Sequence, residues 1–105
     1  MGNPKDLAWP VPKTFFVYIM SNDTRMLYIG VTNNLERRVL EHRQKVLHSY
    51  TSRYNLTWLI YYVEFDDINA AIAREKQLKG WRRPRKIDLV HSTSPRWRDL
   101  AREWA

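Results

Sequence analysis

The run TWLIYYVEF, from Thr57 to Phe65, is β-branched, aliphatic or aromatic almost throughout, and it limits this chain more than any other feature. A strand apolar on both faces must be covered on both faces, which predicts a sheet packed between layers. No uninterrupted apolar run exceeds that of Phe15–Met20, far short of the roughly 20 residues that cross a bilayer, so no membrane partner is expected. With 105 residues there is room for one core, in which roughly 65% of the unfolded surface is buried, and none for a separate recognition domain.

Two further strands precede that run. TFFVYIM (14–20) and MLYIGV (26–31) flank the polar turn SNDTR and read as a β-hairpin, with Gly30 marking a bend or a close approach of the backbone. Asn33 or Asn34 can cap a helix from Leu35 to about Leu47, whose apolar stripe is Leu35, Val39, His42 and Val46. After a polar connection and the third strand, Asp66 or Asp67 caps a second helix through Ile68, Ala71, Ile72, Glu75 and Leu78. Gly80 follows as its stop, and Pro84 as an interruption. Lys86–His91 suggests a short helix, and Ser94-Pro95 the start of a last one in RWRDLAREW. The order β-β-α-β-α predicts an α+β fold, a three-stranded antiparallel sheet packed with helices. Residues 1–13, with three prolines, form an extended arm, 14–91 the domain, and 92–105 a C-terminal helix packed on it.

Cysteine is absent, which removes disulfides, thiolate metal sites and thiol nucleophiles, and the compartment is taken as cytoplasmic. The formal charge of +7 rests on a chain too rich in apolar residues, 44%, to be a disordered basic tail. Such an excess favours nucleic acid as partner. Nearly all of it lies in REKQLKGWRRPRK, from Arg74 to Lys86, with seven basic residues and one acidic, a net +6. Arg74, Lys76, Lys79, Arg82, Arg83, Arg85 and Lys86 are candidate phosphate contacts, and Trp81 offers a flat surface for an unpaired base or a guanidinium. The plainer alternative is a solvated helix end.

Glu75 falls on the apolar stripe of the second helix, where a carboxylate needs a cation. An ordinary ion pair with an arginine or with Lys79 one turn on is weighed there against a metal. His42 lies on the inward stripe of the first helix, one turn after Arg38, and a histidine there is more often core than catalyst. Tyr18 and Tyr28 sit on the hairpin strands, where packing is the ordinary role of tyrosine. It is the combination of two strand phenols, an Arg and a His one turn apart, and an inward Glu that asks for chemistry.

Val17-Tyr18-Ile19 and Tyr28-Ile29-Gly30 resemble the paired tripeptides of the GIY-YIG nucleases, and residues 15 to about 90 follow that family's order. The EKQLKGW run looks like small single-domain members related to the N-terminal domain of the UvrC excinuclease. The resemblance implies catalytic roles for Tyr18, Tyr28, Arg38, His42 and Glu75, with Glu75 binding one Mg²⁺ or Mn²⁺, weakly without substrate. Val17 replaces the first glycine of the signature, Val31 stands where some members have lysine, and no asparagine follows Asn69.

The implied activity is metal-dependent hydrolysis of phosphodiester bonds in nucleic acid, DNA ahead of RNA, structure-selective or nonspecific, in repair or recombination, by a protein taken as a monomer. Arg38 would stabilise the developing phosphate charge and a tyrosine, Tyr28 before Tyr18, would take the proton of the attacking water while His42 orients or accepts it. A phenol of ordinary pKa near 10 needs help for that role. The alternatives are a non-catalytic nucleic-acid-binding module on the same fold and a protein-interaction domain that docks an acidic partner.

Overall fold

The computed structural model describes residues 13–46 and 50–104, apart from the side chain of Tyr50. The expected N-terminal arm, 1–13, lies outside them except for Lys13. Three strands, β1 (Phe15–Ser21), β2 (Leu27–Thr32) and β3 (Trp58–Phe65), form one antiparallel sheet in the order β2-β1-β3. Asn22 closes the β1–β2 hairpin: its Oδ1 accepts from the backbone N–H groups of Thr24 and Met26, each at 3.1 Å, and its amide donates to the Tyr54 carbonyl at 2.7 Å. The register sets Tyr18 opposite Gly30 and Met20 opposite Tyr28.

Alternation along β1 divides the core into two halves. On one face Tyr18 and Met20 pack with Leu35 and Val39 of α1 (Leu35–Arg43), with Leu56 and Leu59, and with Ala101. On the other, Val17, Ile19 and Ile29 pack with Ala71 and Leu78 of α3 (Ile68–Gly80), Val90 of α4 (Arg83–Thr93), and Trp97. The sheet is therefore covered on both faces, as the apolar third strand required. Only Leu59–Tyr61 of that strand are buried, however, and Tyr62 and Glu64 open onto the α1 side. A bulge opposite Ile19/Met20 shifts the β1–β3 register.

Local signals account for most helix ends. Asn34 caps α1 and Asp67 caps α3, each accepting from the N–H three residues on. α1 stops at Arg43 instead of reaching Leu47, because Lys45 turns left-handed at φ 56°, and Val46 is exposed. The polar connection contains a single turn, α2 (Tyr50–Arg53). Gly80 is the last helical residue of α3 and carries no left-handed φ; the helix ends where Trp81 becomes extended. Pro84 interrupts no helix. It sits in the first turn of α4, where a missing N–H costs nothing, so that helix runs 11 residues.

The C-terminal helix expected in RWRDLAREW does not form. Ser94 ends α4 instead of opening a new helix, Trp97 is left-handed at φ 58°, and 95–104 runs as turns. Tertiary bonds hold it there: Leu100 N–H donates to the Leu59 carbonyl at 2.7 Å, while one Asp99 oxygen accepts from Leu59 N–H and Ala101 N–H, each at 3.0 Å. The other oxygen pairs with Arg43 at 2.9 Å. The segment completes the edge of β3 at its bulge and packs on the same core.

Candidate active site

The face shared by β1, β2 and α1 brings four of the five expected site residues together. Tyr18 is fully buried, and its hydroxyl lies 3.1 Å from His42 Nε2. Its ring lies over Gly30 so closely that a Cβ there would stand 2.6 Å from both the ring carbon Cζ and the hydroxyl oxygen. The glycine therefore serves a close approach, not a bend. Tyr28, half-buried, meets the His42 ring edge-on at 5.6 Å between centroids and the Tyr18 ring at 6.3 Å. Arg38, one turn before His42, lies beside the Tyr18 hydroxyl and interacts favourably with it.

The low polarity of this cluster sets its protonation. Burial, reinforced by Tyr28, pushes the Tyr18 phenol well above its ordinary range, and the neighbouring Arg38 recovers only part of that. Burial and the Arg38 charge push His42 down to about 4, so its imidazole is neutral at pH 7. Burial alone would lower the Arg38 guanidinium, but neighbouring Tyr18 and the bond to Glu41 outweigh it and hold the group above its usual value. His42 Nδ1 is buried without a hydrogen-bond partner among the described residues, whichever ring nitrogen carries the proton.

Glu41 is a member that sequence reasoning missed. Its Oε1 accepts from Arg38 Nε at 3.0 Å and its Oε2 lies 3.5 Å from Arg37 Nε, so it fixes the guanidinium that reaches Tyr18. The signal was present in the i, i+3 spacing of Arg38 and Glu41.

Glu75 stands apart. Its helix covers the opposite face of the sheet, and its carboxylate, 19% exposed, bonds Lys79 Nζ at 3.0 Å. This is the ordinary ion pair that the spacing allowed. Residues from both sides share a cavity of about 250 Å³ lined in part by Val31, Arg38 and Ile68, at the N-terminal end of α3. Glu75 lies seven residues beyond Ile68, roughly 10 Å along the helix axis. Among the described residues no three His, Asp or Glu side chains converge as metal ligands. A hard divalent ion needs less than that: one carboxylate, with waters and phosphate oxygens, is a known mode for Mg²⁺. The Glu75 donor fits such an ion in exchange for Lys79.

The basic run flanks that carboxylate on the same side of the sheet. Trp81 is held between two guanidinium groups, Arg74 at 5.0 Å and Arg85 at 4.0 Å from its ring, so it stacks on cations within the chain. Arg83 donates to the Arg25 carbonyl at 2.8 Å and fastens α4 to the hairpin turn. Arg82 and Lys76 are exposed, and Lys86 is half-buried.

The hairpin thus delivers two tyrosines to a helix-borne Arg and His, on a three-stranded sheet covered by helices, the arrangement that the paired tripeptides imply. Residues 14–88 match the family model described as the GIY-YIG catalytic domain, and the chain belongs to the GIY-YIG family. It is similar to a UPF0213 protein of Natronomonas pharaonis, 37% identical over 71% of this chain and 88% of that one. A UPF0213 protein of Clostridium perfringens is 34% identical over 75% and 85%. The solution structure of the UPF0213 protein BH0048 from Bacillus halodurans shares the fold, with a TM-score of 0.55 at 22% identity over 88% of this chain and 98% of that one. Membership places the chain in a nuclease superfamily whose members generally bind nucleic acid and use divalent metals. Among the described residues no helix is long and apolar enough to cross a membrane.

Proposed function

We propose that the protein is a divalent-metal-dependent endonuclease that hydrolyses phosphodiester bonds, with DNA as the preferred substrate. The observation that carries this reading is the Tyr18, Tyr28, Arg38 and His42 constellation on one sheet face, with Glu41 holding the guanidinium in place. Arg38 offers donors to a nonbridging phosphate oxygen as charge develops. Tyr18, buried and protonated, bonds His42 and lies beside Arg38, and so helps to orient both. Tyr28, half-buried at the edge of the cluster, in its phenolate form takes the proton from the attacking water, the water O–H bond breaking as the phenol O–H bond forms, and its contact with neutral His42 fixes its ring. Glu75 is the residue that would hold Mg²⁺ or Mn²⁺, which supplies Lewis-acid stabilisation of the phosphate when bound. Arg82, Lys76 and Lys86 add phosphate contacts from the basic run, and Arg74 and Arg85 do so with guanidinium groups already ordered on Trp81.

One observation favours a second reading, a binding module without cleavage: the Glu75 carboxylate is already paired with Lys79 and its helix covers the face opposite the tyrosines. Incubation of the protein with single-stranded, duplex and branched DNA and with RNA, in Mg²⁺, Mn²⁺ or chelator, separates the two. The nuclease reading expects metal-dependent products that vanish in Glu75→Ala while DNA binding and the fold persist. Intact strands under every metal condition, with binding retained, would establish the module instead.

A further inference from the structure

The sheet face that carries Tyr18 continues into a groove of about 500 Å³ lined by Phe16, Tyr62 and Trp104, with Glu36 and Glu64 at its rim. Tyr62 is the cross-strand partner of Tyr18, Phe16 lies two residues before it on the same face, and Glu36 lies two residues before Arg38 on α1. The rings meet edge-on, Phe16 to Tyr62 at 6.4 Å and Tyr62 to Trp104 at 6.5 Å, and Tyr62 is 41% exposed. Among the described residues neither rim carboxylate pairs with a cation, in a chain whose net charge is +7.

These features assign an orientation to a bound nucleotide. Two unpaired carboxylates repel phosphate, while exposed aromatic faces attract a flat apolar ring. The backbone therefore belongs at Arg38 and the base in the groove. Cross-strand neighbours stand roughly 5 Å apart, so the groove at Tyr62 begins one strand away from Tyr18, the phenol beside which Arg38 lies.

We infer that the groove receives the unpaired base of a nucleotide beside the scissile phosphate, guanine in preference. Guanine presents two adjacent donors, N1–H and N2–H, to a carboxylate. Adenine and cytosine place an acceptor nitrogen beside their amino group, which a carboxylate repels, and thymine has a single N–H between two carbonyls. A paired base keeps that edge engaged with its complement, so the substrate must offer a bulge, a flap, a loop or an extruded base. The inference rests on the nuclease reading and names the shape of its substrate.

The test measures binding by fluorescence anisotropy in chelator, with DNA duplexes carrying one bulged G, A, C or T, one abasic bulge, or no bulge. The bulged G duplex is expected to bind roughly 10-fold tighter than the abasic one, the scale of one stacked base. Tyr62→Ala and Trp104→Ala each remove that advantage, and two variants at different positions guard against misfolding of either. Glu36→Gln with Glu64→Gln keeps the stacking but equalises G with the other bases. Equal affinity for abasic and guanine bulges overturns the inference. So does a Lys/Arg-rich peptide that displaces the bulged duplex at concentrations that leave the fully paired duplex bound, since the groove would then be a cation site. Full-strength duplex binding without bulge discrimination refutes only the groove assignment, whereas no binding to any strand refutes the nuclease reading with it.

Discussion

Gly30→Ala tests the geometry on which the site stands. The added Cβ would lie 2.6 Å from Tyr18 Cζ and 2.6 Å from its hydroxyl oxygen, about 1 Å inside the optimum for nonbonded carbon atoms. Tyr18 is 0% exposed, so the ring has no free volume into which to swing. Overpacking of this kind costs about 1–3 kcal/mol, and relief of glycine's entropy penalty within a strand returns about 0.5–1 kcal/mol. A net loss of about 1–2 kcal/mol lowers Tm by roughly 5–15 °C in a domain of this size, measured by calorimetry or circular dichroism. The cause is checked in a Tyr18→Leu background, where the phenol is gone and Gly30→Ala is expected to be neutral or stabilising. An unchanged or raised Tm for Gly30→Ala in the parent, or an equal loss in both backgrounds, would refute the close-approach argument.

Acid should destabilise the fold through His42. Above about pH 6.5 the imidazole is neutral in folded and unfolded chains alike, but between 6.5 and about 4 only the unfolded chain takes up the proton, so stability falls as pH falls, by roughly 3 kcal/mol in all. Denaturant melts across that range should show the slope, and His42→Leu should flatten it; an unchanged slope means that other groups govern acid unfolding. Asp99→Ala removes the acceptor for Arg43, Leu59 N–H and Ala101 N–H together, a loss of about 2–3 kcal/mol, and hydrogen exchange should speed first at the Leu100 amide. Protection of that amide equal to the parent's would show that the C-terminal segment is held by packing alone. Tyr18→Phe strips His42 Nε2 of its partner and should cost about 1–3 kcal/mol of stability, while Tyr28→Phe should leave stability near the parent's and remove cleavage. The reverse pattern would exchange the roles of the two phenols.

The hairpin, the third strand and the starts of α1 and α3 were legible because each is written locally, in alternation and in Asn34 and Asp67 as caps. The C-terminal segment was not, because its helical signals at Ser94 and Pro95 lose to contacts remote in sequence. Asp99 must serve the bulged edge of β3 and Arg43 of α1, and a regular helix would carry its carboxylate away from one of them. The separation of the basic run from the tyrosines was hidden for a related reason. Sequence places Arg74–Lys86 beside Glu75, but which face of the sheet α3 covers is decided by packing Ala71 and Leu78 against Val17 and Ile19. A route between the basic run and Arg38 runs past the edge formed by β2, where Val31, Arg38 and Ile68 line one cavity.

The two tyrosines of the paired tripeptides look interchangeable in sequence, yet the strand register makes them unequal. Antiparallel pairing sets Tyr18 opposite Gly30 and Tyr28 opposite Met20. A phenol facing glycine can lie flat over the neighbouring strand, and there it becomes fully buried, protonated and bonded to His42. The central position of β1, flanked by β2 and β3, completes that enclosure. Tyr28 is on the edge strand and faces a methionine across the ladder, so its ring stays half-buried. The glycine that ends the second tripeptide thus acts on the tyrosine of the first. Replacing it with any larger residue would displace the buried phenol, and with it the orientation of His42 and Arg38, before touching the half-buried Tyr28.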